Sequence, residues 1–205
     1  MSKKSLYIFR HGETDWNKAK RFQGHSDIDL NALGREQAAN LQSVLAQVHP
    51  QVILSSDLSR AHNTAKIAAI KLLAVQPKIE IITTPLLREA HLGDVEGLER
   101  DVIIERYGEE FIERWFDPKH VDFAFPNGET KMAHLERLIK TINDLLQSHS
   151  HLDRFAISTH GGSVHRFIHH CENPPQERIF VTNGSLHHIE IELSTKKWFY
   201  RGQIS

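Results

Sequence analysis

The sequence predicts an α/β fold: a three-layer sandwich with a mostly parallel central sheet flanked by helices. Two observations lead there. The apolar runs Leu6-Tyr7-Ile8-Phe9, Val52-Ile53-Leu54 and Phe155-Ala156-Ile157-Ser158 are short and continuous rather than alternating, which suits strands buried on both faces of a parallel sheet. Longer stretches with apolar residues three and four apart lie between them, and strands alternating with helices make layered α/β architectures.

The elements follow in order. Arg10-His11-Gly12 stops the first strand, and Asn31 is placed to cap a helix carrying Ala38, Leu41, Leu45 and Val48 on one face. After the second strand and Ser55-Ser56, Asp57 opens a helical pattern through Leu58, Ala61, Ala65, Ala68 and Leu72. Ile79 to Thr83 reads as a third strand. From Gly97 to Asn127 charges mix with Tyr107, Phe111, Trp115 and Phe116, and Pro118 and Pro126 punctuate the chain. This stretch reads as a partly helical insertion covering one end of the sheet. Thr130 is placed to cap a helix with Met132, Leu135, Leu138, Ile142 and Leu145 on one face. The fourth strand breaks at His160-Gly161-Gly162 into a helix through Phe167, and Leu186 to Leu193 with Trp198 to Tyr200 suggests a closing hairpin. With no repeat or linker visible, residues 1–205 read as one domain whose 97–127 insertion caps the site.

Bulk properties narrow the function classes. Hydrophobic residues make up 40% and charged residues 25%, as in an ordinary globular protein. Lys plus Arg number 25 against 26 Asp plus Glu, so the basic surplus that drives nucleic-acid binding is missing, and an anion must be gripped by a few placed cations. The single cysteine, Cys171, rules out an intrachain disulfide and a Cys-rich zinc site, and reads as a small packing residue. No stretch reaches the ~20 apolar residues of a membrane span, and the apolar run after Lys4 is too short for a signal-peptide core. Cytoplasm is the expected compartment.

The polar residues carry more. Two expected strands end in a loop bearing a histidine, Arg10-His11-Gly12 and His160-Gly161-Gly162, and the helix after the second strand holds Arg60. Ligands of open α/β sheets bind outside the carboxyl ends of the strands, so three segments bring Arg10, His11, Arg60 and His160 to one edge. Guanidinium forks match phosphate oxygens, glycines let backbone amides approach an anion, and a neutral imidazole can attack phosphorus. Any one of these side chains alone is more often structural. Together they point to a phosphate pocket.

Arg10-His11-Gly12-Glu13-Thr14, with Asn17 downstream, resembles the signature of the histidine phosphatase superfamily, which includes the cofactor-dependent phosphoglycerate mutases. A given five-residue string arises by chance in on the order of one chain in ten thousand of this length. Further segments fall in the family's order: Phe22-Gln23-Gly24-His25-Ser26-Asp27, Ser55 to Ala61, Leu87-Arg88-Glu89 through Gly97, Pro126 to Thr130, and Thr159 to Gly162. The resemblance implies a phosphoglycerate mutase-like fold and a role for each matching residue. His11 is the nucleophile; Arg10, Arg60 and His160 stabilise charge on the equatorial oxygens. Glu89 protonates the leaving alcohol and later activates water. Asn17, Gln23, Gly24 and Gly161 hold phosphate or substrate oxygens. No metal and no cofactor are implied. The expected partner is a small-molecule phosphate ester, with neither nucleic acid nor membrane, and a homodimer is open.

Two departures from the mutase branch favour phosphatase: mutases usually carry an Arg directly after the catalytic Glu, where this sequence has Ala90, and they tend to be longer, with extra helical material over the site. Val95 stands where relatives commonly have Trp, which repacks the wall near Glu89 and leaves substrate size open. The resulting expectation is a metal-independent phosphatase acting on phosphate monoesters of small metabolites through a phosphohistidine, with mutase chemistry on the same residues as the alternative. A metallohydrolase competes because there are 15 histidines and His165 and His169 have zinc-ligand spacing, but no carboxylate cluster accompanies them. A phosphoprotein-binding relative without turnover ranks lowest, since every catalytic side chain is present.

Overall fold

The first strand serves two cores at once. In β1 (Lys3–Arg10), Leu6 and Ile8 enter one apolar cluster while Phe9 enters another on the opposite face. The period of two along a strand produces that division. A computed structural model describes residues 3–117, 119–177 and 179–205. Within them β1 is followed by α1 (Asp15–Lys18), α2 (Ala32–Val48), β2 (Val52–Ser56), α3 (Ser59–Ala68), α4 (Ile70–Val75) and β3 (Ile81–Thr84). Then come α5 (Arg100–Tyr107), α6 (Glu109–Phe116), α7 (Lys131–Ser148), β4 (Arg154–Thr159), α8 (Gly161–His170), β5 (Leu186–Glu192) and β6 (Lys197–Gln203).

The strands form one sheet in the order β3-β2-β4-β1-β5-β6. Pairing is parallel from β3 to β1 and antiparallel on both sides of β5, so β5 alone runs against the others. Leu41 and Leu45 of α2, Ala65 and Ala68 of α3 and Leu72 of α4 pack on one face with Phe9, Ile53 and Ala156. Leu138, Ile142 and Leu145 of α7 and Val164, Phe167 and Ile168 of α8 pack on the other with Leu6, Ile8, Leu54 and Ile157. Each large side chain buried this way contributes roughly 1.5–3 kcal/mol. These are the three layers the apolar runs predict.

The first long helix after β1, α2, and the helix after β4, α8, therefore lie on opposite faces of the sheet. Such a reversal opens a crevice at the carboxyl ends of the strands. Register sharpens it, because Arg10 pairs with Thr159 and the next residues, His11 and His160, leave the sheet side by side.

Local signals account for most boundaries. Asn31 Oδ1 accepts from the Gly34 amide, and Thr130 Oγ1 accepts from the Ala133 amide, as their capping positions predict. Three details differ from the sequence reading. The helix α3 opens at Ser59 and not at Asp57: the Ser59 amide and hydroxyl donate to Asp27, 2.7 and 2.8 Å away, a carboxylate from a distant loop. Asp57 instead takes both prongs of the Arg88 guanidinium at 2.7 and 2.6 Å. The apolar pattern through Leu72 is split at Ala69 into α3 and α4, both of which keep it buried. On α7 the inward stripe starts at Lys131 and His134, which find polar partners inside, leaving Met132 turned outward.

Residues 97–127 form a third apolar cluster, with Ile103, Ile112, Phe123 and Phe125 packed against Ala90, Leu92 and Val95. Its aromatics divide: Phe125 is core, whereas Trp115 and Phe116 line the cavity described next.

Candidate active site

The crevice deepens into a cavity of about 1160 Å³ reaching Arg10, His11, Arg60, Glu89 and His160. Asn17, Gln23, Gly24 and Gly161 line it too, so the sequence-predicted site residues share one wall system.

His11 sits at its floor, 3% exposed. Its Nδ1 lies 2.7 Å from the Gly12 carbonyl, which can only accept, so Nδ1 carries the hydrogen and Nε2 keeps its lone pair. Burial pushes its pKa well below the usual imidazole value, and the positive charges of Arg60 and Arg10 push it further down. The imidazole is therefore neutral near pH 7. Several elements hold its loop. The His11 amide donates to Thr159 O, the Gly12 amide to Thr64 Oγ1, and the Asn183 side chain to His11 O, at 3.0 Å each. Gly12 permits this packing because a Cβ there would stand 2.1 Å from the Gly34 carbonyl oxygen.

Arg60 is 1% exposed, and burial lowers its pKa to about 10, which leaves it charged. It donates Nη1–H to Ser26 O at 2.7 Å, Nη2–H to Gly24 O at 2.8 Å and Nε–H to His160 Nδ1 at 3.3 Å. A guanidinium has five N–H groups, so two remain for an anion. The Nε–H of Arg60 requires His160 Nδ1 to be the acceptor. Its Nε2–H then faces Ser56 Oγ at 2.9 Å, in a neutral ring whose pKa burial, Arg60 and His11 hold well down. The two histidine rings meet edge to face, centroids 5.2 Å apart. Arg10 donates Nη1–H to Val181 O at 2.7 Å, while its buried Nε has no partner.

Glu89 stands across the opening of α8. Its Oε2 accepts from the Gly162 amide at 2.7 Å and its Oε1 from the Ala90 amide at 3.0 Å. That approach needs glycine at 162, where a Cβ would fall 2.6 Å from Glu89 Oε1. Arg88 is turned away to Asp57, so no ion pair between neighbours ties Glu89 up. Asn17 and Thr14 form a reciprocal capping pair at the start of α1, and the Thr14 hydroxyl lies 3.1 Å from Gln23 Oε1.

Several participants escaped the sequence reading. Thr64 and Ser56 reach the site only because strand register and helix phase bring them there. His134, deeply buried on α7, places Nε2 3.1 Å from Ser163 Oγ and 3.8 Å from Glu89 Oε1. The Asn183-Gly184-Ser185 turn buttresses His11 through the Asn183 side chain and the Gly184 amide. The His165 and His169 rings lie 4.2 Å apart, tilted by 39°, but among the described residues no group of three or more ligating side chains is placed to hold a metal.

The profile of the histidine phosphatase superfamily (branch 1) matches residues 6–200. Phosphoglycerate mutase-like protein 4 of Arabidopsis thaliana is 32% identical over 176 residues, covering 85% of this chain and 73% of its own. A broad-specificity phosphatase of Saccharomyces cerevisiae is 30% identical over 203 residues, covering 96% of this chain and 83% of its own. Among solved structures, YhfR of Bacillus stearothermophilus superposes with a TM-score of 0.83 at 26% identity, covering 97% of this chain and 96% of that one. The chain belongs to the histidine phosphatase superfamily, branch 1.

Proposed function

We propose that this protein hydrolyses phosphate monoesters of small metabolites, with His11 as nucleophile and Glu89 as proton carrier. The observation that carries the reading is the His11 tautomer: a buried, neutral ring whose Nδ1 is fixed on Gly12 O, leaving the Nε2 lone pair for the cavity.

The ester phosphate docks between Arg10 Nε–H and the two unengaged N–H groups of Arg60, with Asn17, the backbone at Gln23-Gly24 and the Gly161 amide as further contacts. His11 Nε2 attacks phosphorus and the ester P–O bond breaks. Glu89, protonated for this step, passes its proton to the departing oxygen, so an alcohol leaves and a phosphohistidine remains. The Glu89 carboxylate then takes a proton from water, whose oxygen attacks phosphorus. The P–N bond breaks and neutral His11 and inorganic phosphate result. His160 acts by fixing the Arg60 fork and supplies an Nε2–H that Ser56 holds. Placed donors of this kind contribute roughly 10²–10³-fold each when aimed at developing charge.

Ala90 favours water over a second substrate molecule as acceptor. It is fully buried in the third apolar cluster, where a mutase-type Arg would have its charge among Leu92, Val95 and Phe125. The 97–127 segment, which gives Trp115 and Phe116 to the cavity, acts as its cap. The described residues contain no helix long and apolar enough to cross a membrane. A lone buried thiol at Cys171 suits a reducing compartment, and we place the enzyme in the cytoplasm.

A panel of phosphate monoesters assayed with wild type and His11→Ala tests this. Phosphate release by wild type, a trapped phosphohistidine after rapid quenching, and loss of at least about 10⁴-fold in the variant are expected. Isomerisation of phosphoglycerate without phosphate release, or turnover that survives His11→Ala, would overturn it.

A further inference from the structure

The cavity holds a cation that the reaction does not use. Arg166, on α8, lines it together with Glu89, Trp115 and Lys131. Position 166 is four residues after Gly162, whose amide holds Glu89, so the two share a helix face. Arg166 stands about 9 Å along the axis from His160, at 1.5 Å per residue. It is close enough to Glu89 to feel its charge, so it stands on the side that the phosphatase reading gives to the leaving group.

Its surroundings leave it unmatched. The buried Nε and Nη2 have no hydrogen-bond partner. The carboxylates nearby are engaged elsewhere: Glu89 by the Ala90 and Gly162 amides, Glu129 by both prongs of Arg137 at 2.9 and 2.7 Å. What Arg166 does have is the Trp115 ring, 5.2 Å below its guanidinium carbon. The second cation in this region, Lys131, is the opposite case, for its ammonium donates to the carbonyls of Arg114, Trp115 and Asp117 and thereby closes the end of α6. Glu89 and Glu129 act on it through their charge, yet burial outweighs them and lowers its pKa, since a guanidinium whose buried N–H groups lack partners is costly. A ligand anion would remove the cost.

We propose that Arg166 forms a second anion subsite, so that preferred substrates are phosphate monoesters whose leaving group carries a carboxylate or a further phosphate. This rests on the phosphatase reading for its orientation, since the leaving group must lie toward Glu89. The guanidinium, backed by the Trp115 face, receives the second anion through charge-assisted hydrogen bonds. Arg166 is a specificity determinant here and takes no part in bond making.

Binding of non-hydrolysable phosphonates tests it without relying on turnover. Calorimetric dissociation constants are measured for the meta and para isomers of carboxybenzylphosphonate and of the uncharged carbamoylbenzylphosphonate. Wild type should bind at least one carboxylate isomer about 10-fold or more tighter than its carbamoyl counterpart. Arg166→Gln should bring that ratio to near one, and Arg166→Lys should keep part of it. Equal binding of both kinds by wild type overturns the subsite, as does a ratio that survives Arg166→Gln. Because wild type alone gives the decisive ratio, a poorly folding variant leaves the test intact. If wild type binds with the expected ratio yet hydrolyses none of the matching phosphate esters, the subsite stands and the phosphatase reading fails.

Discussion

The two ends of the cavity are built differently. At the phosphate end, Arg60 and His160 are almost completely enclosed and bonded to one another, to backbone carbonyls and to Ser56. At the other end, Phe116, Met132 and Phe180 are exposed at 59%, 37% and 70% along the same cavity, and Nε and Nη2 of Arg166 lack hydrogen-bond partners. The first region hangs on strand ends and the first turns of α3 and α8, which cannot shift without disturbing the sheet. The second consists of outward-facing side chains of α6, α7 and α8 and of the segment before β5. A fixed grip on a shared phosphate, beside a changeable surface for the rest of the molecule, is what a phosphatase scaffold needs to change substrate without changing chemistry.

The sharpest way to break this contrast is at Arg60. Arg60→Ala should lower kcat about 10²–10³-fold on every ester alike. It should also destabilise the fold, because Gly24 O and Ser26 O lose their donor at roughly 1–3 kcal/mol for a buried group. Steady-state kinetics and thermal unfolding on the same preparations check both. A loss confined to some esters would mean that the phosphate end also selects substrates.

Glu89→Gln should divide substrates instead. Alkyl esters, whose leaving oxygen needs a proton, should slow by about 10²-fold or more, and p-nitrophenyl phosphate by less than about 10-fold. Equal losses on both would remove Glu89 as the acid. Gly162→Ala makes a milder version of the same cut. The added Cβ would press on Glu89, and about a 10-fold fall in kcat on alkyl esters is expected, smaller on the nitrophenyl ester.

The last prediction concerns stability. His11, His134 and His160 all have pKa values pushed well below the usual imidazole range, chiefly by burial. In the unfolded chain they protonate near pH 6.5. Between that value and the lower folded values the unfolded state binds more protons, so stability must fall as pH drops below about 6.5. Thermal unfolding between pH 7 and 5.5 should show a Tm decrease of at least about 2 °C, made shallower by His11→Asn. A flat profile would mean that these rings meet protons in the folded state after all.

Much of the phosphate end was legible before any coordinates. Arg10, His11 and His160 sit where apolar runs stop, and the arrest of a buried strand at a polar loop is a local signal. Thr64 and Asn183 carry no such mark, and Ser56, though it follows an apolar run, has nothing local that pairs it with His160. Each reaches the site by a contact between residues more than fifty positions apart in sequence, set by register or helix phase. Lys131 and His134 show the same limit, since a polar side chain on an inward stripe is recognisable only once its buried partners are placed.

What the chain determined by itself was the order of strands and helices, their caps at Asn31 and Thr130, and the glycines at 12 and 162 that allow close backbone approach. Those follow from periodicity, local hydrogen bonding and the lack of a Cβ. The tertiary structure decided which strands became neighbours, and so that His11 and His160 would stand ring against ring. It also decided that Asp27 would hold the Ser59 amide at the start of α3 and that Arg166 would stand over Trp115 with Nε and Nη2 unbonded. Burial, tautomer and charge compensation belong to surroundings assembled from distant segments, and no local pattern encodes them.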